Sequence, residues 1–141
     1  LTLYLDTSLL IAALTNEPET ARMQEWLGVQ QSGDLAISAW VTTEFSAALS
    51  MKLRSHVIKA AQRAAALAAF TQLTAESFNM LAVTEVQFRT AAHYADRSDL
   101  GLRAGDALHL AIAADNGATI VTLDHRLAEA AGELAVPAQL L

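Results

Sequence analysis

The sequence predicts an α/β fold in three layers, α/β/α, with a central parallel sheet of four to five strands flanked by helices. Three observations carry that expectation. The runs "LTLYL" and "ATIVTL" are rich in β-formers and apolar at successive rather than alternate positions, as strands buried on both faces are. Helical stretches separate each such run from the next, and this alternation means parallel strands joined by crossover helices. At 141 residues, 53% hydrophobic and 17% charged, the chain reads as a single domain, residues 1–141. A domain of that size buries roughly two-thirds of the surface its unfolded form exposes.

The elements follow in order. "LTLYL" is the first strand and residues 8–14 the first helix. Pro18, at a first-turn position, opens a helix over 18–31. "DLAIS" is a second strand. Residues 40–54 set Trp40, Val41, Phe45, Ala48 and Leu49 on one helical stripe. Residues 56–76 contain "KAAQRAAALAAF", whose alanines favour helix strongly. "NMLAV" is a weaker strand, followed by helices over 84–97 and 106–116, the strand "ATIVTL", a helix over 125–131 and a short last strand at "AQLL". Trp26, Leu27, Phe45, Leu49, Leu67, Phe70 and Leu73 are core or subunit contact. Helices 40–54 and 56–76 hold more apolar surface than one sheet face covers, so dimerisation through this region is expected.

The absence of cysteine excludes disulfides and thiolate metal sites and fits a reducing compartment, so a cytoplasmic protein is expected. No apolar stretch free of charge is long enough to span a bilayer. The formal charge of −6 is unusual for a nucleic-acid binder, whose footprint is a basic patch. Distribution qualifies that sum. No acid occurs between Glu44 and Glu76, while Lys52, Arg54, Lys59 and Arg63 all do. These four, with Arg103, are the candidates for phosphate contact; Arg97 and Arg126 also lie close to the acids in sequence.

In a parallel sheet all strand carboxyl ends open on one edge, where ligands bind. Asp6 directly follows "LTLYL" and Asp124 directly follows "ATIVTL"; if those strands are neighbours, both acids meet one cavity. Each of Asp6, Asp106 and Asp124 also stands at a helix start, where capping alone explains an Asp. Glu44 is no cap. It shares the helix face of Trp40, Val41 and Ala48, and needs either solvent past Trp40 or a cation. Four converging carboxylates would repel and protonate unless a multivalent cation held them. Oxygen donors without paired histidines favour Mg²⁺ or Mn²⁺ over Zn²⁺, and such clusters suit phosphodiester hydrolysis. His109 and His125 lack ligand spacing and are read as packed or solvent-facing, outside the catalytic set.

The segments "YLDTSLLIA", "SAWVTTEFSAAL" and "LRAGDALHLAIAADNGATIVTLD" resemble the successive motifs of the PIN-domain family, most closely VapC-type toxins. The resemblance spans nearly the whole chain and is most specific from Leu102 to Asp124. It implies a PIN-like fold in which Asp6, Glu44, Asp106 and Asp124 form an acidic quartet binding Mg²⁺ or Mn²⁺, with Thr7, Ser8 and Thr122 orienting ligands. It further implies endoribonuclease activity on RNA, a homodimer, and inhibition by a cognate antitoxin. Many relatives carry a further acid or aromatic where this chain has Leu127, Ala128 and Glu129, so one tightly held ion is the expectation.

Other α/β enzymes fit less well. A haloacid-dehalogenase-type phosphatase needs a second Asp where Ser8 stands, a receiver domain needs adjacent acids and a late Lys, and no Gly-rich phosphate loop occurs. An RNA-processing PIN nuclease outside a toxin pair is the nearest alternative. A non-catalytic PIN-like protein-binding module is the other, and it leaves four mutually repelling acids without a role.

Overall fold

The computed structural model describes residues 1–141. Five strands form one sheet in the order β3-β2-β1-β4-β5, all parallel. They are β1 (Leu3–Leu5), β2 (Leu35–Ser38), β3 (Asn79–Leu81), β4 (Thr119–Thr122) and β5 (Ala138–Leu140). Seven helices flank them: α1 (Thr7–Leu14), α2 (Thr20–Gly28), α3 (Ala39–Arg54), α4 (Ala60–Glu76), α5 (Glu85–Asp96), α6 (Ala104–Asp115) and α7 (His125–Glu133). Short 3-10 turns occupy Ser32–Asp34 and Ser98–Leu100. No helix is long and apolar enough to cross a membrane.

Strand position explains the strength of each sequence signal. Tyr4, Leu5, Ile37, Ile120 and Val121 are fully buried, as strands covered on both faces require. The edges are β3 and β5, largely exposed, which is why "NMLAV" and "AQLL" read weakly.

Two helix boundaries depart from expectation. Pro18 lies in a turn before α2, not inside it: Thr20 Oγ1 donates 2.7 Å to the Ala12 carbonyl and accepts 2.8 Å from the Glu17 amide, tying that turn back to α1. The helix expected from residue 56 begins at Ala60. The Lys52 carbonyl accepts both the Val57 and the Ile58 amides, closing α3 in a tight turn where His56 has φ +60°. The apolar stripes of α3 and α4 then meet, with the Phe45 and Phe70 rings stacked at 4.4 Å. Phe45, Leu49 and Phe70 are buried within the chain, while Trp26, Leu27, Leu67 and Leu73 pack on the core from its margin. Met51 and Val57 remain exposed at the α3–α4 corner.

Chain direction fixes the position of the site. From β1 the chain steps outward to β2 and β3, then crosses back to β4 on the opposite side of β1. The carboxyl ends of β1 and β4 therefore flank a topological switch point, where α/β sheets open a crevice. Their register pairs Leu5 with Val121, and the Asp6 amide extends the ladder by donating 3.0 Å to the Val121 carbonyl.

Candidate active site

Asp6 occupies the residue before α1 with extended backbone, yet its side chain caps nothing. Its Oδ2 instead accepts from Ser8 Oγ at 2.7 Å and Thr122 Oγ1 at 2.8 Å. Thr122 in turn accepts the Asp124 amide at 2.9 Å, and Ser8 accepts the Leu123 amide at 3.3 Å. The two hydroxyls thus lace the end of β4 to the start of α1 around a carboxylate that is 6% exposed.

Glu44 enters from α3. Its Oε1 accepts from Thr7 Oγ1 at 2.7 Å and makes a short contact with Nε2 of His109. His109 is 1% exposed; its Nδ1 lies 2.9 Å from the Tyr4 hydroxyl, itself 2.8 Å from Ser38 Oγ. Asp6 Oδ1 is 3.5 Å from the same Nε2. Burial works against charge on His109, but the bond to Glu44 and the charges of Asp6, Glu44 and Asp106 outweigh it and raise the imidazole pKa. Burial likewise pushes the Glu44 carboxyl up, and the bond and charge of His109 with the bond from Thr7 bring it below the usual range. Both shifts favour the imidazolium–carboxylate form of the pair. Burial raises the Tyr4 phenol, so it stays neutral.

Gly105 makes this packing possible. A Cβ there would meet Glu44 Oε2 at 2.9 Å and the Trp40 indole at 3.4 Å, so the glycine of "LRAGDALHLA" lets α6 approach α3 closely.

Asp106 and Asp124 complete the group. With Trp40, Glu44, Arg103 and Arg126 they line a cavity of about 370 Å³. Asp106 accepts no hydrogen bond from the chain. Its carboxyl is raised by burial, then by the charges of Asp6, Asp124 and Glu44, with His109 opposing. Asp124 is a true cap: Oδ1 accepts the Arg126 and Leu127 amides at 2.9 and 3.3 Å.

The four acids singled out in the sequence thus share one neighbourhood, with Thr7, Ser8 and Thr122 bonded to them. Asp6, Glu44 and His109 each offer a donor atom, all within 4.8 Å of one another. His109 is packed, as expected, but packed inside the acid cluster. Its place three residues after Asp106, on the same face of α6, was the available signal. His125 is exposed. Of the basic candidates only Arg103 lines the cavity. Lys52 is bound to Glu17 at 2.8 Å, and Arg54, Lys59 and Arg63 sit on α3 and at the head of α4.

The PIN domain family matches residues 3–133 of the chain. No curated protein gives a significant match. Among solved structures, VapC20 of Mycobacterium tuberculosis, a sarcin-ricin loop cleaving toxin, is similar with a TM-score of 0.76 at 17% identity, covering 92% of this chain and 95% of that one. FitAcB from Neisseria gonorrhoeae gives 0.70 at 20% identity, covering 97% and 96%. VapBC2 from Rickettsia felis, bound to a DNA fragment from its promoter, gives 0.67 at 15% identity, covering 100% and 99%. At these identities the likeness is one of fold. Because the family match runs from β1 through α7, across every strand end that carries an acid, the chain belongs to the PIN domain family.

Proposed function

We propose that this chain is a metal-dependent endoribonuclease hydrolysing RNA phosphodiester bonds, and the toxin of a type II toxin–antitoxin pair. One observation carries the reading. Four carboxylates gather at the switch point, and the single cation bonded within the group, His109, is taken up by Glu44. That one positive charge also faces Asp6 Oδ1 at 3.5 Å but cannot balance Asp6, Asp106 and Asp124 as well, and the surplus negative charge is what a divalent cation relieves. The donors fit a hard ion such as Mg²⁺ or Mn²⁺, since they are carboxylate oxygens without thiolate. Asp6, Glu44, Asp106 and Asp124 would hold it. When bound, such an ion acidifies a water and stabilises charge on the scissile phosphate.

The chain's own residues do the positioning. Ser8 and Thr122 saturate Oδ2 of Asp6 and hold its plane, while Thr7 and His109 hold Glu44. Asp124 gives one oxygen to helix amides and keeps the other free. Asp106 keeps both. Trp40 and Leu127 wall the cavity, and apolar walls strengthen the attraction between the carboxylates and a bound cation.

The similarity to toxin structures supports an antitoxin partner, and the exposed Met51 and Val57 support a homodimer that sedimentation at micromolar concentration tests directly. Cleavage of total RNA by wild type and by Asp6→Asn, with and without Mg²⁺ or Mn²⁺, tests the enzyme. Asn keeps the shape and removes the charge, so metal-dependent cleavage by wild type and its loss in the variant are expected. Undiminished activity of the variant would refute the proposal.

A further inference from the structure

We infer that Arg103 and Arg126 form a two-pronged clamp on the rim of the acidic cavity, each holding a backbone phosphate of single-stranded RNA beside the phosphodiester to be cut. The inference rests on the nuclease reading and identifies how its substrate is gripped.

The distribution of cations singles out these two. Of nine Lys and Arg residues, Arg22, Lys52, Arg89 and Arg97 are held by Glu19, Glu17, Glu85 and Asp99. Five remain without an acidic partner, and of those only Arg103 and Arg126 line the cavity. The neighbouring acids do not claim them: Glu44, Asp106 and Asp124 line the same cavity, yet neither guanidinium pairs with any of them. An unpaired arginine beside uncompensated carboxylates is positioned for another anion, one that approaches the acids while they are bridged by a cation. An RNA strand is such an anion, and the planar guanidinium fork matches phosphate oxygens.

Local structure holds both prongs. Arg126 lies two residues past Asp124, whose Oδ1 accepts its amide at 2.9 Å. Its Nη2 donates 3.3 Å to the Gly101 carbonyl, anchoring one corner of the fork and leaving the other donors open. Gly101 has φ +61°, and a Cβ there would lie 3.0 Å from Nη2, so glycine both makes the turn and admits the guanidinium. Arg103 comes from the other side of the sequence motif, at the residue before α6 and three before Asp106. Each prong is thus built into the same short segment as one acid. The expected basic tract on α3 and α4 lies outside the cavity, which makes the grip short and local.

The test uses the intact protein with Ca²⁺ replacing Mg²⁺ to favour binding without cleavage, and a fluorescein-labelled single-stranded RNA followed by anisotropy across a salt series. Arg103→Ala and Arg126→Ala should each weaken binding roughly tenfold at low salt. Each should also reduce the slope of log affinity against log salt by about 0.7, the value for one phosphate contact on a single strand. Arg126→Lys, keeping charge without the fork, should fall between. A double Arg22→Ala, Arg89→Ala variant, which removes twice the charge of either single rim variant at residues that do not line the cavity, should bind as wild type. Unchanged melting curves exclude misfolding of the exposed Arg126 variants.

Rim variants that bind like wild type would overturn the clamp, as would an Arg54→Ala, Lys59→Ala pair that costs as much affinity as the rim pair. A polyglutamate peptide that competes for the cavity and loses affinity in the rim variants, with RNA affinity unchanged, would overturn it in favour of an acidic protein segment. Wild type that binds this RNA but cuts no RNA in Mg²⁺ or Mn²⁺ ends the nuclease reading while the binding data still decide the clamp. Wild type that binds no RNA ends both.

Discussion

Replacing Asp106 with Asn separates the cost of gathering four acids from the use made of them. Asp106 stands in the first turn of α6, half-buried, and its carboxyl is raised by burial and by Asp6, Asp124 and Glu44. Removing its charge loses about 0.5 kcal/mol of interaction with the helix dipole. Relieving one member of a repelling group yields about 0.5–2 kcal/mol, the usual gain from correcting charge placement. Repulsion wins. In chelator, Asp106→Asn should be more stable than wild type by about 1 kcal/mol, or about 3–5 °C in Tm for a chain of this size.

The order should reverse with metal. An ion at a hundred times its Kd stabilises the protein that binds it by about 2.7 kcal/mol, and the variant, with one anionic ligand made neutral, gains less. pH gives a second check. An acid whose folded pKa is raised favours the fold where it is protonated and loses that contribution as pH rises through the raised value. The advantage of the variant in chelator should therefore vanish on acidification. Thermal unfolding of both proteins in EDTA and across a Mn²⁺ series reads all three effects. If the variant melts below wild type in EDTA and shifts equally with Mn²⁺, the acids do not form one cation-demanding group.

His109→Gln removes the imidazolium buried against Glu44 and should cost about 3 kcal/mol near pH 6 by urea unfolding. The raised His109 pKa makes its contribution complete below the unfolded value of about 6.5 and lost as pH rises through the folded one. The lowered Glu44 pKa makes its contribution complete above the unfolded value of about 4.3 and lost as pH falls through the folded one. A stability difference that stays flat from acid to alkaline pH would show that folding shifts neither pKa and that the two charges are not coupled. Gly105→Ala places a Cβ against Glu44 Oε2, which Thr7 and His109 keep from yielding freely; weaker Mn²⁺ binding by calorimetry is expected, with a modest loss of Tm. At Asp124, Asn retains the cap and Ala does not, so Asp124→Ala alone should lose about 1 kcal/mol of stability, while both variants lose RNA cleavage. Equal stability of the two would mean that the capping bonds to Arg126 and Leu127 contribute nothing.

Much of this architecture is local information and so could be read from the chain. Continuous apolar runs marked the buried strands β1 and β4, and the two edge strands read weakly because half their surface faces water. Asp6 and Asp124 were visible as acids directly after strands, and their convergence needed only that β1 and β4 be neighbours. That adjacency is a property of strand order, and no periodicity states it. Capping offered the same explanation for Asp6, Asp106 and Asp124, and the structure divides them: Asp124 caps, Asp6 binds two hydroxyls, and Asp106 does neither.

The amino-acid sequence by itself determined the alternation of strands and helices, the absence of thiolates and the identity of the acids, because these depend on residue type and short-range spacing. Tertiary structure alone decided that His109, 65 residues from Glu44, is its partner, and that Arg126 joins Arg103 at the cavity while the basic run around Lys52 stays outside it. Such pairings arise where separate helices meet at the switch point, and hydrogen bonding and charge act through distance in space, which intervals along the chain do not encode.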